Sequence, residues 1–178
     1  MTAATQDAQP TNPNQRNLTM PKRPPKPAPA ITLRPGESIS FVLPVTPRTK
    51  KNSPRQVKRR AKTTGKLITI PIPSEAYERM EEQIVALVGT HQMRFPTMPW
   101  PVAMRTLLLA QPMNCAALFF RQKRIGDANG YYQGLADALE AAGVLANDKW
   151  LVQWDGSRLR KDKQRPRIEV TLTAVSDG

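Results

Sequence analysis

Cysteine and histidine are almost missing from this chain: Cys115 and His91 are the only ones in 178 residues. One cysteine cannot close an internal disulfide, so an intracellular, reducing compartment is the expectation. No Cys/His cluster has zinc-like spacing, and no glycine-rich phosphate loop is present. Cys115 reads as a small buried hydrophobe. His91 follows a helix end, where it meets terminal carbonyls rather than doing chemistry. No apolar run approaches the ~18 residues of a membrane span. The opening MTAATQDAQPTNPN lacks a basic region followed by an apolar one, so no secretory signal is expected. No basic amphipathic helix stands out, which argues against a membrane surface.

Acids are also scarce. Asp and Glu total 14 against 27 Lys and Arg, a net charge of +13. Such an excess speaks to partners rather than fold, and the first polyanion to consider is nucleic acid.

Proline is abundant and unevenly placed. Pro10, Pro13, Pro21, Pro24, Pro25, Pro27, Pro29 and Pro35 crowd residues 1–37, where few apolar side chains stand. That composition predicts a disordered, basic, Pro-rich tail, with PKRPPKPAPA as a polyproline II leash. Residues 38–178 form the expected folded domain, long enough for one hydrophobic core.

Within it, Ile39, Phe41 and Leu43 alternate as in a strand that Pro44 and Pro47 end. Nine basic residues and no acid follow: Arg48, Lys50, Lys51, Arg55, Lys58, Arg59, Arg60, Lys62 and Lys66. They read as a loop that contacts phosphates. Ser74 caps a helix that Gly89 ends, with Tyr77, Ile84, Leu87 and Val88 on one face. Residues 90–112 are punctuated by FPTMPWP, and MRTLLLA suits either a short helix or a strand. MNCAALFFR, from Met113 to Arg121, is apolar on both faces and predicts a central strand.

A helix is predicted from about Gly130 to Ala142, with Tyr131, Leu135, Ala138, Leu139 and Ala142 inward and Gly143 as its stop. Of the two tyrosines at its mouth, one is expected in the core. The other has two uses, core packing or stacking on an unpaired base. Leu151 to Trp154 reads as a strand with Trp154 in the core, and Trp150 as core or interface. DGSRLRKDKQRP reads as a basic hairpin carrying Arg158, Arg160, Lys161, Lys163 and Arg165. Ile168, Val170, Leu172 and Ala174 alternate in the final strand. The order implies an α+β domain with a small mixed β-sheet and two main helices.

With so few acids, their positions matter. Asp127 and Asn129 open the second helix, and Asp148 lies just past its end. One reading makes Asp127 or Asn129 a helix cap and Asp148 a turn residue. The other makes them oxygen ligands of Mg²⁺, with Arg121, Lys123 and Arg124 offsetting phosphate charge. The helix is roughly 18–20 Å long at 1.5 Å per residue. The spacing leaves open whether the chain folds back to bring Asp148 near Asp127.

The stretch DANGYYQGLADALEAAGVLANDKW, residues 127–150, resembles the core of the RusA family of Holliday-junction resolvases, of the kind common in prophages. Outside it, Phe41 to Asn52 and Pro-Arg-Ile-Glu-Val-Thr-Leu172 are similar to the family's first and last strands. The resemblance covers roughly residues 38–175. It implies a RusA-like homodimer with two Mg²⁺-dependent sites, Mn²⁺ being possible, that nicks opposed strands of four-way branched DNA. A nucleoid-bound cytoplasmic enzyme would follow, with no membrane and no small-molecule substrate. Carried over by position, the family acids fall on Asp127 and Asp148. Asn129 stands where a second Asp is expected, Gln133 where a Lys is, and Gly130 where an Asn is. Asp127, Asp148, Asn129 and Gln133 are then the expected catalytic set, the first three on metal. Asp137 and Asp155 are candidate stand-ins for the missing acid. Lys123, Arg124 and Lys149 are candidates for the missing lysine charge. The rival expectation is a branched-DNA-binding protein whose cleavage is weakened or lost through Asn129 and Gln133. A third is a general nucleic-acid-binding protein.

Overall fold

A computed structural model describes residues 30–50, 54–89, 108–123 and 126–176. In chain order the elements are β1 (Ala30–Ile31), β2 (Ser38–Leu43), β3 (Arg55–Arg60), β4 (Leu67–Ile72), α1 (Glu75–Gly89), β5 (Leu108–Leu109), β6 (Met113–Arg121), α2 (Ala128–Ala141), β7 (Leu151–Gln153), β8 (Arg158–Lys161) and β9 (Arg167–Ala174). They make a mixed α+β fold: one main sheet, two helices and two small paired ribbons. No helix among the described residues is long and apolar enough to cross a membrane.

Alternation builds the sheet. β9 lies between β2 and β6 and is antiparallel to both. Its register sets Leu43, Ile168 and Phe119 in one row, Phe41, Val170 and Ala117 in the next, and Ile39, Leu172 and Cys115 in a third. All nine are buried. Tyr77, Met80, Ile84 and Val88 of α1, with Tyr131, Leu135, Ala138 and Leu139 of α2, join the same core. Both helices therefore cover one face of the sheet. A shallow groove along the other face includes Val42, Ala116, Leu118, Glu169 and Thr171. β6 is central, as its composition predicts, but only one of its faces is fully buried.

On its other side β6 pairs in parallel with β7 at its start and β8 at its end. The expected hairpin is thus not one: β8 continues in the direction of β7, and the chain reverses only between β8 and β9. Between β7 and β8 the backbone leaves the ladder, with Gly156 at φ +87. Ser157 fills the gap. Its buried hydroxyl donates to Cys115 O (2.9 Å) and accepts from Ala117 N (2.9 Å), standing in for a missing backbone partner.

Three other expectations change. Residues 30–37 lie in the predicted tail, yet β1 pairs with β5, Leu33 is buried, and Gly36 N donates to Ala174 O (2.8 Å). From Arg55 onward the basic stretch is not a loop but the antiparallel ribbon β3–β4, turning at Gly65. The helix predicted from Gly130 begins at Ala128, because Asp127 caps it. Residues 1–29, the FPTMPWP stretch and His91 lie outside the described residues.

Candidate nucleic-acid interface and metal site

α2 starts where β6 ends, so the helix mouth opens at the C-terminal edge of the central strand. Asp127 holds that start: its Oδ1 accepts from Gly130 N at 2.6 Å with φ −82 and ψ 165. The cap reading is therefore met, and the second carboxylate oxygen lies outside the capping bond. Asn129 and Gln133 are exposed within the next turn and a half of helix. Asp127, Asn129 and Gln133 are brought together.

Asp148 is not. It stands in a 3-10 turn, Asp148–Trp150, at the far end of α2. Its N–H donates to Glu140 Oε2 (3.1 Å), while Asn147 Nδ2 donates to Glu140 Oε1 (3.3 Å). Glu140 follows Asp127 by 13 positions on a straight helical path, which is on the order of 20 Å. Within one chain the turn after α2 leads away from Asp127, into β7 beside the start of β6. The two stand-in acids fare no better. Asp137 is occupied by Lys50 Nζ at 2.6 Å, and Asp155 sits beside Asn114, its backbone N–H donating to Asn114 Oδ1 at 2.8 Å. Among the described residues no three Asp, Glu, His or Cys side chains gather as a metal cage.

What does gather at the Asp127 end is positive charge. A cleft of about 360 Å³ is lined by Thr46, Pro47, Arg48, Thr49, Ser74, Ala76, Arg121, Gln122, Lys123 and Tyr131. No acid is among its lining residues. Two glycines let its Arg48–Thr49 wall approach α2. A β-carbon on Gly134 would meet Arg48 O and Tyr77 Cε2, each at 3.2 Å. One on Gly130 would meet Asp127 Oδ1 at 3.1 Å and Thr49 Cγ2 at 3.2 Å. Absence of side chains at these two positions, four apart on one helix face, lets residues 48–50 lie directly along α2. The Lys50–Asp137 pair fixes the far end of that contact. The close approach also places Thr49 beside the Asp127 carboxylate. The Tyr77 hydroxyl has Gly134 O (3.3 Å) and Glu81 Oε1 (3.2 Å) as acceptors that share its one proton. Burial, with Glu81 and Asp137 nearby, pushes its pKa well above the usual phenol range.

The ribbon carries the exposed cations Lys58, Arg59 and Arg60. Arg55 at its base is a tether: it pairs with Glu75 and Glu78 in the first turn of α1. Of the other expected DNA contacts, Lys51 and Arg124 lie outside the described residues. Lys149 stands at the Asp148 end, its Nζ 5.3 Å from the Trp150 ring centre. Arg158, Arg160 and Lys161 lie on edge strand β8. Tyr131 is core, packed 5.6 Å from Phe119 with the Arg121 guanidinium over its ring. Tyr132 is half-buried and stacks on Trp154, centroids 4.7 Å apart and planes at 8°, so that face already has its partner.

Sequence reasoning passed over Thr49 and Glu140, and read Ser74 only as the cap of the first helix, which it is: its Oγ accepts from Tyr77 N at 3.3 Å. The Gly130–Gly134 spacing was the available signal for close packing at Thr49. For the other two, no local pattern separates a cap or a surface acid from a site residue. No protein-family model matches the chain, and no curated protein matches it in sequence.

Proposed function

We propose that this protein is a RusA-type, structure-selective DNA endonuclease that resolves four-way junctions as a homodimer. One observation carries the reading. Asp127, Asn129 and Gln133 stand exposed at the same end of the sheet as the cleft cations Arg48, Arg121 and Lys123. An acid beside a cationic cleft suits a phosphodiester approached by a divalent ion. Mg²⁺ keeps much of its water and takes one or two carboxylates plus substrate phosphate oxygens. Asp127 with the Asn129 carbonyl fits that habit, and Mn²⁺ accepts the same ligands. Asp127 and Asn129 would hold the ion, which would supply polarisation of the phosphate and a more acidic water. Gln133 donates a hydrogen bond to a phosphate oxygen. Arg121 offsets charge that builds on the phosphate. Lys58, Arg59 and Arg60 engage the backbone of a neighbouring arm, without reading sequence.

The ~20 Å between Asp127 and Asp148 gives dimerisation a second purpose beyond supplying two nicks. A two-fold pairing that sets the Asp148 end of one protomer against the Asp127 end of its partner completes two sites at once. The rival reading is a branched-DNA-binding protein that does not cut. It is favoured by the single carboxylate at the Asp127 end.

The test compares nicking of a four-way junction and a linear duplex in Mg²⁺. Asp127→Asn keeps the cap oxygen but removes the charge, so folding and binding should persist while nicking stops. Asp148→Asn should do the same. Mixing the two variants should restore single nicks, because one site of each mixed dimer carries both native acids. Junction binding without nicking by the unaltered protein, with nicking gained in Asn129→Asp, would select the rival reading.

A further inference from the structure

The α1–α2 cleft has features that neither the cap nor the metal reading uses. Both helices begin at its rim: α1 through Ser74 and Ala76, α2 through Tyr131 one turn in. The first N–H groups of any helix lack intrahelical partners and carry partial positive charge. The acids of the first turn of α1 do not quench this. Glu75 is drawn to Arg55 and Arg79, and Glu78 to Arg55. Arg48 and Lys123, also lining the cleft, form no ion pair among the described residues.

Thr49 supplies the independent observation. It lines the cleft, is only 6% exposed, and its Oγ1 is buried with no hydrogen-bond partner. A buried hydroxyl left unpaired is costly, and native structures keep few of them. That hydroxyl is closed to solvent as it stands, so an acceptor entering the cleft would remove the penalty by drawing Thr49 round about χ1 toward it.

We infer that this cleft is a phosphate-binding subsite, and that its ligand is the backbone phosphate adjacent to the one presented to Asp127. The identity of the ligand as DNA rests on the proposed function; the chemistry of the subsite does not. Helix N-termini, two unpaired cations and a hydroxyl donor suit a tetrahedral oxyanion. Thr49 and Asp127 both flank Gly130, so an anion held there fixes the register of the strand beside the carboxylate. Asp127 is not itself a lining residue, and its Oδ1 is committed to Gly130 N.

The experiment titrates the full, metal-free chain with inorganic phosphate against chloride at equal ionic strength, following backbone amide shifts. Saturable shifts should appear at Ala76, Ala128 and Asn129. Thr49→Val should weaken phosphate roughly tenfold, the loss of one hydrogen bond to a charged group, and raise Tm because an unpaired hydroxyl is gone. A purely structural threonine would not give that pair of changes. Lys123→Gln should weaken phosphate severalfold and, with four-way DNA in chelator, lower the log–log salt slope by about one. Arg34→Gln, far from the cleft, should change neither. Absence of saturable shifts overturns the subsite, even if junctions are still nicked. Phosphate binding that Thr49→Val weakens, with DNA binding unmoved by either cleft variant, overturns the DNA backbone as its ligand. If phosphate responds but the protein neither binds nor nicks junctions, the oxyanion subsite stands, but the DNA assignment and the proposed function both fall.

Discussion

Gly134→Ala sets two effects of opposite sign against each other, and the structure decides between them. Inside α2, alanine improves on glycine by about 1 kcal/mol of helix propensity. The new β-carbon, however, would lie 3.2 Å from Arg48 O and 3.2 Å from Tyr77 Cε2. Favourable contacts of this kind sit near 3.5–4.0 Å. Neither neighbour is the free end of a flexible chain: one is backbone, the other a ring that is 1% exposed. Overpacking of such a site costs about 1–3 kcal/mol. The net expectation is a loss of about 1 kcal/mol, lowering Tm by roughly 2–4 °C for a chain of this size. Gly134→Val should lose more, since its β-branch adds bulk and forgoes the propensity gain. Gly89→Ala is the internal control, because nothing lies within 4 Å of its added carbon. Thermal unfolding by circular dichroism reads all three. If Gly134→Ala raises Tm by the full propensity gain, residues 48–50 do not rest on α2, and the packing of that segment is wrongly built.

Ser157→Ala strips the buried partner from Cys115 O and Ala117 N, and should cost about 2 kcal/mol or more, seen as a clear fall in Tm. The Cys115 thiol is buried and burial pushes its pKa up. It should resist a disulfide reagent in the folded protein and react fully in denaturant. Asp162 is held below the usual carboxylate range, first by the Arg165 N–H, against an opposing effect of burial, and then by Arg167 and the Gln164 N–H. A lowered folded pKa favours the folded state above the unfolded value of about 4 and is lost as pH falls through the folded one. Asp162→Asn should therefore flatten the acid limb of Tm against pH; an unchanged limb would refute the assignment.

Much of the fold was legible because burial on one face imposes a period of two. β2 and β9 advertise themselves through Ile39, Phe41, Val170 and Leu172, and β6 through an apolar run from Met113 to Phe120. β3 does not, because Arg55–Arg60 is a ribbon with few buried neighbours, and its composition says loop. β8 is misread for a related reason: an edge strand rich in Arg and Lys looks like a turn. Residues 30–37 look like a tail because the partner of β1 is Leu108–Leu109, far along the chain. At the site, the helix mouth was legible from Asp127 and its capping chemistry. The distance to Asp148 was not, since it depends on whether the turn after α2 folds back or leads onward. The cleft was hidden too, because Thr49, Ser74 and Lys123 come from three separate segments.

The position of β9 has a consequence for how the molecule is made. β2 and β6 flank it without touching in the strand order, and their rows of side chains are joined only through Ile168, Val170 and Leu172. A ribosome delivers β2 and β6 first, and for as long as β9 is inside the exit tunnel they have open hydrogen-bonding edges facing each other. Pairing Ser40 with Thr171 spans 131 positions, a long loop to close before any contact rewards it. Joining β2 to β6 through β9 is therefore a late event. A chain interrupted before Arg167 is not a smaller version of this protein but a pair of unclosed strands, with the edges that favour aggregation.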